Sequence, residues 1–151
     1  MSWRRAPARW SCGSTSPSDP MWHARAMPQW NATFTISLTP GTPLLEGTGR
    51  FDLAKEWSGD IVGTSQGVML SAGDPAAGAA GYVALERFVG TVGAATGTCS
   101  LQQCGTMADG DQALHYEVVP GSGTDGLAGL VGRLELVVGE DGTHRVTLRA
   151  E

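Results

Sequence analysis

Apolar side chains recur at every second position along most of this chain, a period that permits β-strands and little else. Ala32–Leu38 sets Phe34, Ile36 and Leu38 on one face and Thr33, Thr35 and Ser37 on the other. Arg50–Trp57 sets Phe51, Leu53 and Trp57 on one face, together with Lys55, the only lysine of the chain. Ile61–Ser71, Tyr82–Val92, Gly97–Met107, Gln112–Pro120, Val131–Val138 and Thr143–Ala150 bring the count to eight segments. Turn residues separate them: Pro40, Gly41 and Pro43, then Ser58-Gly59-Asp60, a small-residue loop over Gly73–Gly81, Gly93–Thr96, Ala108–Asp111, and Glu140-Asp141-Gly142. Thr124–Leu130 reads as a single helical turn capped by Ser122 or Thr124. Eight short antiparallel strands in succession lose their open edges by closing on themselves. The expected fold is therefore all-β, a single eight-stranded antiparallel barrel.

With 151 residues, the chain is one domain's worth of sequence. Its first thirty residues differ from the rest. They hold four of the five tryptophans and a Ser/Pro/Thr cluster over Ser11–Pro20, with Arg4, Arg5, Arg9 and Arg25 against Asp19 alone. Residues 1–30 are expected to be a disordered or mis-started N-terminal extension, with a working start at Met21 or Met27, and residues 31–151 to be the barrel domain. From Asn31 onward six basic residues face fourteen acidic ones, which argues against nucleic acid as a partner. No apolar run approaches the roughly 20 residues that span a bilayer, so no membrane partner is expected. Cys12, Cys99 and Cys104 are an odd set. Cys99 and Cys104 fall on opposite faces of one strand and cannot bond to each other, which suits a reducing cytoplasm.

The central hairpin allows a register argument. With Gly93–Thr96 as a four-residue loop, Val92 faces Gly97, Gly90 faces Cys99, Phe88 faces Leu101 and Glu86 faces Gln103. That face is apolar apart from Glu86 and Gln103, and is assigned to the barrel interior. A carboxylate on an apolar face is disfavoured when charged unless it is paired. Glu86 is thus either a catalytic acid or base, or half of a satisfied structural pair with Gln103 or an arginine. His115 shares a face with Glu117, opposite Tyr116. Facing inward it is a candidate catalytic base, and facing outward a solvated surface histidine. Tyr82 and Tyr116 are candidate ligand-orienting hydroxyls. Trp57, Phe88, Leu101 and Cys99 are candidate walls of a ligand cavity or simply core. His23, His115 and His144 are isolated, so no metal site is expected, and no cofactor motif is present.

Three motifs carry a resemblance to a known family. They are Leu85-Glu86-Arg87-Phe88-Val89-Gly90-Thr91, then Gly97-Thr98-Cys99-Ser100-Leu101-Gln102, and Val118–Thr124 followed by Leu127-Ala128-Gly129-Leu130. With supporting matches at Ala32–Ile36 and Ser58–Ile61, the chain from about Ala32 to its end resembles the bacterial domain of unknown function 3224 family. The resemblance implies a small barrel of the allene oxide cyclase type. It also marks two departures: Gln103 stands where the family usually has a histidine, and Tyr116 where relatives often have tryptophan.

Together these readings lead to three expectations. The first is a barrel that binds a small apolar molecule, with Glu86 and Gln103 as polar anchor. The second is a cofactor-free cyclase or isomerase acting on a polyketide- or lipid-like substrate. The third is a structural module with a filled barrel that associates as a homodimer or homotrimer.

Overall fold

The structure, a computed structural model, describes residues 27–151. Most of the expected N-terminal extension, Cys12 included, lies outside the described residues. Nine strands make one antiparallel sheet. They are β1 Gln29–Pro40, β2 Thr48–Gly59, β3 Ile61–Asp74, β4 Ala79–Val92, β5 Ala95–Ala108, β6 Asp111–Val118, β7 Thr124–Asp125, β8 Gly132–Val138 and β9 His144–Ala150. Eight of them close in the order β1-β2-β3-β4-β5-β6-β8-β9 and back to β1. The two-residue β7 lies outside this ring against β5.

The expected barrel is therefore present, with each of the eight alternating segments on a strand. Its first strand starts earlier than expected, because Gln29 and Trp30 pair with Arg149 and Leu148 of β9. The segment Thr124–Leu130 is not a helical turn. It opens with β7 and continues as successive tight turns, in which Leu127, Ala128 and Leu130 donate their amides to Thr124, Asp125 and Leu127. The Gly73–Gly81 loop contains a one-turn 3-10 helix, Pro75–Ala77, capped by Asp74, whose carboxylate accepts from the Ala76 amide at 2.9 Å.

The central hairpin turns on two residues, not four. Gly93 adopts φ 60°, a left-handed conformation suited to a tight hairpin. Val92 then faces Ala95, Phe88 faces Cys99, Glu86 faces Leu101 and Ala84 faces Gln103. Relative to the expected register the strands are displaced by two positions. A two-residue slip preserves the face of every side chain while changing every partner. Glu86, Phe88, Cys99, Leu101 and Gln103 all point inward as expected, but Glu86 and Gln103 are not opposite each other.

The two ends of the barrel differ. At one end the connection from β6 to β8 folds beneath the ring. The Ser122 hydroxyl accepts from the Ser100 amide at 2.9 Å and donates to the Val119 carbonyl at 2.6 Å. A side chain at Gly97 would collide with the Thr124 carbonyl, and one at Gly123 with that of Leu127. The corner is thus drawn tight enough to seat Leu127, only 2% exposed, in the opening. Above it Ile61, Phe88, Cys99, Leu134 and Leu148 pack around a residual gap of about 10 Å³, room for a single water at most.

At the other end the strands are unequal. β1 and β2 run for 12 residues and β3, β4 and β5 for 14, but β6 has 8 and β8 and β9 have 7 each. β9 leaves β1 beyond the pair Phe34–His144, and β8 touches β6 only through Glu117–Arg133. The upper parts of β1 and β6 therefore lack neighbours on that side. Inner-face residues there, Ile36, Leu38 and Leu114, are partly open to solvent. Between upper β1 and the β8–β9 turn lies a cleft of about 420 Å³, with Phe34, Ile36 and His144 on its wall together with Thr33, Thr35, Glu56 and Ser58 of the outer face.

Candidate functional site

Polar side chains are rare inside the ring, and those present are gathered below the open end. Alternation on β2 turns Lys55 inward between Leu53 and Trp57. The same alternation turns in Ser65 on β3, Glu86 on β4, Gln103 on β5 and Tyr116 on β6. Lys55 is 3% exposed and Glu86 2%. Burying two opposite charges this far is sustained only when both are paired and hydrogen-bonded.

Both conditions hold. The Lys55 ammonium donates to Glu86 Oε1 at 3.0 Å and to the Tyr116 hydroxyl at 3.2 Å. Tyr116 in turn donates to the same Oε1 at 2.6 Å. The second carboxylate oxygen of Glu86 accepts from the Ser65 hydroxyl at 3.1 Å, which itself accepts from the Trp57 indole at 3.0 Å. Lys55 Nζ also stands 4.3 Å from the centre of the Phe34 ring, a cation–π contact. His144 stacks on that ring at 4.9 Å. Beside this cluster Tyr82 donates to Gln103 Oε1 at 2.9 Å.

The surroundings shift the protonation of these groups. Desolvation pushes the Lys55 amine below its ordinary range, and the Glu86 charge and hydrogen bond partly oppose it. Burial first, then the Glu86 charge, hold the Tyr116 phenol well above its usual value. Tyr82 is raised too, chiefly by burial. The Cys99 thiol is pushed up to about 11 by burial and then by Glu86, which makes it a protonated core residue at neutral pH.

Chemically, the cluster combines a carboxylate, an amine and a phenol around a single oxygen, Glu86 Oε1. Protons can pass among all three, and each can hydrogen-bond a polar group brought in from the open end. Among the described residues no cluster of histidine, cysteine and acidic side chains has the geometry to hold a metal ion.

Of the residues singled out from sequence, Glu86, Gln103, Tyr116, Trp57, Phe88, Leu101 and Cys99 are buried in the interior. Tyr82 points inward too and is half-buried. Trp57, Phe88, Leu101 and Cys99 surround the small gap near the closed end. His115 is not part of the site. With Tyr116 turned inward, alternation places His115 outside, where its side chain is 52% exposed and its imidazole lies 3.2 Å from Glu117. Lys55 and Ser65 were not among the candidates. The available signal was Lys55 itself, one lysine among nine arginines, set on an apolar strand face.

Comparison with known proteins agrees with this architecture. A family model described as "Protein of unknown function (DUF3224)" matches residues 30–149. The fold is similar to the crystal structure of a protein of unknown function from the DUF3224 family of Shewanella oneidensis MR-1. The two share 37% sequence identity and a TM-score of 0.77 over 83% of this chain and 96% of that one. No curated protein matches the chain. No described helix is long and apolar enough to cross a membrane. Matched over nearly its whole barrel, in sequence and in fold, the chain belongs to the DUF3224 family.

Proposed function

We propose that this protein binds a small, largely apolar molecule at the open end of its barrel, with the molecule's polar group directed toward Lys55, Glu86 and Tyr116. The supporting observation is the placement of that cluster. An ion pair buried at 3.0 Å gives a fold little net stability over well-packed apolar residues. The cluster lies below the partly exposed Ile36, Leu38 and Leu114. Phe34, on whose ring Lys55 rests, borders a cleft of about 420 Å³, within the size range of small-molecule sites, that opens toward the outer face at Thr33, Thr35, Glu56 and Ser58. The closed end offers no comparable room, so entry is by way of Ile36, Leu38 and Leu114. The unpaired Cys99 and Cys104 fit a reducing compartment such as the cytoplasm.

Native mass spectrometry of the protein purified from its own host tests this. A small molecule of defined mass, carried under gentle conditions and released on denaturation, supports the reading. A bare protein mass that stays bare with a panel of apolar alcohols and acids overturns it.

Two further readings have observations of their own. The 2.6 Å hydrogen bond from Tyr116 to Glu86 favours a cofactor-free cyclase or isomerase, in which these groups polarise a bound polyketide- or lipid-like chain. Unchanged turnover in Glu86→Gln removes that role. The outer face of β3 and β4 carries exposed Val68, Leu70, Val83 and Leu85 in adjoining cross-strand pairs. This apolar face favours association with a second copy of the chain, as a homodimer or homotrimer. The mass of the intact assembly decides it.

A further inference from the structure

The one lysine of the chain is inside the barrel. Every other basic residue is an arginine, whose guanidinium stays protonated and is no nucleophile. Lysine differs because its amine can lose a proton, and a buried lysine does so more readily. Here the proton has an acceptor in place: Glu86 Oε1, 3.0 Å from Nζ. Transfer along that hydrogen bond turns the ion pair into a neutral amine beside a neutral carboxylic acid. The Tyr116 hydroxyl, 3.2 Å from Nζ, is a phenol kept protonated by its surroundings.

The amine is also close to the outside. Its cross-strand partner on β1 is Ile36, which is 36% exposed. The ring on which Nζ rests, Phe34, is part of the wall of the open cleft. Phe34 thus touches both the amine and the cleft.

We propose that Lys55 is a covalent capture site for an apolar aldehyde or ketone, forming an imine inside the barrel. This rests on the reading of the open end as a small-molecule site. Lys55 first gives a proton to Glu86. The free amine then adds to the carbonyl carbon, forming the C–N bond, while Tyr116 hydrogen-bonds the carbonyl oxygen. Proton transfer within the adduct leaves a neutral carbinolamine. Glu86 returns its proton to the departing hydroxyl, the C–O bond breaks and water leaves. Lys55 is then a protonated imine paired with the Glu86 carboxylate. The charge balance matches the starting ion pair, and no oxidant or reductant is consumed. A protonated imine is an electron sink, so this lysine would supply chemistry that other proteins obtain from a bound cofactor.

The test uses the full chain with decanal and cyanoborohydride, the latter serving only to make the imine permanent. Peptide mapping locates the decyl group, since the only other primary amine is the N-terminus. The expected result is labelling of Lys55 in the folded protein at least about tenfold faster than in the denatured chain, because the folded site holds aldehyde and amine together. Lys55→Arg keeps the charge and loses the label. Tyr116→Phe keeps the lysine and slows labelling by about a hundredfold, the scale of one lost hydrogen-bond donor to a developing oxyanion. That second variant keeps the test decisive should Lys55→Arg fail to fold. Label confined to the N-terminus, with Lys55 modified only after denaturation, overturns the proposal. Decanol in parallel separates the two ideas. If it is retained in the native mass spectrum while decanal leaves Lys55 untouched, the binding site stands and the imine falls. If neither binds, both fall.

Discussion

The closed and open ends of this barrel are built by opposite means. The closed end is sealed by a glycine-rich corner, Val118–Leu130, that seats Leu127 and leaves about 10 Å³ unfilled. Its polar groups are spent on holding the corner: Ser122 on Ser100 and Val119, and Thr124 on Thr98 at 2.7 Å. The open end keeps polar groups inside, where they bond one another, and leaves apolar groups outside. The comparison teaches where recognisability and chemistry reside. The corner is the most distinctive stretch of the sequence, yet everything in it serves closure. The residues able to do chemistry are scattered singly over five strands.

The largest expected effect is at the open end. Glu86→Leu leaves the Lys55 charge without its partner and should cost about 3–5 kcal/mol in chemical denaturation. The double variant Lys55→Met/Glu86→Leu should recover most of that loss. If it does not, the cluster contributes more to stability than an ordinary buried pair. Next comes Leu127→Ala at the closed end, where the lost side chain leaves a cavity and should cost about 2–5 kcal/mol. Retention of a captured molecule should be unaffected. Faster release in this variant would break the assignment of the two ends.

A third expectation concerns Cys99, in the closed half. Its folded thiol is held near 11 while the unfolded thiol ionises near its ordinary value of 9.0. Between those values the unfolded chain has released a proton that the folded chain keeps. The associated stability is present below about pH 9 and is lost as the pH rises through about 11. Between the two ends of that interval the unfolding free energy from urea titration should fall further in the parent than in Cys99→Ala, by on the order of 2 kcal/mol. Tyr116 and Tyr82 are raised in the same direction and Lys55 is lowered, so the paired comparison with the variant isolates the thiol. The smallest effect is that of His115→Ala, on the outer surface, which should change stability and ligand retention by less than about 0.5 kcal/mol.

The strands were legible in the sequence because a face that must be buried imposes its period on the residues. Pairing was less so. The loop Gly93–Thr96 contains turn residues at four positions, and nothing local distinguishes a four-residue loop from the two-residue turn that forms. Faces survived that error because a slip of two is a whole period. The partners of Glu86 did not. Gln103 was expected opposite it, whereas its actual partners Lys55, Ser65 and Tyr116 lie 31, 21 and 30 positions away. Ser65 is the cross-strand partner of Lys55 and sits on the strand next to Glu86, while Lys55 and Tyr116 reach Glu86 from two strands away on either side because the sheet curls, which alternation along a single strand cannot express. His115 was ambiguous for a related reason. Two neighbours on one strand take opposite faces, and only the depth of the ring shows that Tyr116, not His115, is the inward one.

The solitary lysine has a practical corollary. A protease that cuts only after lysine has one place to cut this chain, and in the folded state that peptide bond belongs to the paired strand β2. Cleavage therefore waits for the barrel to open. The rate at which two fragments appear would report how often β2 leaves its neighbours, so the chain carries within its own sequence a gauge of its opening.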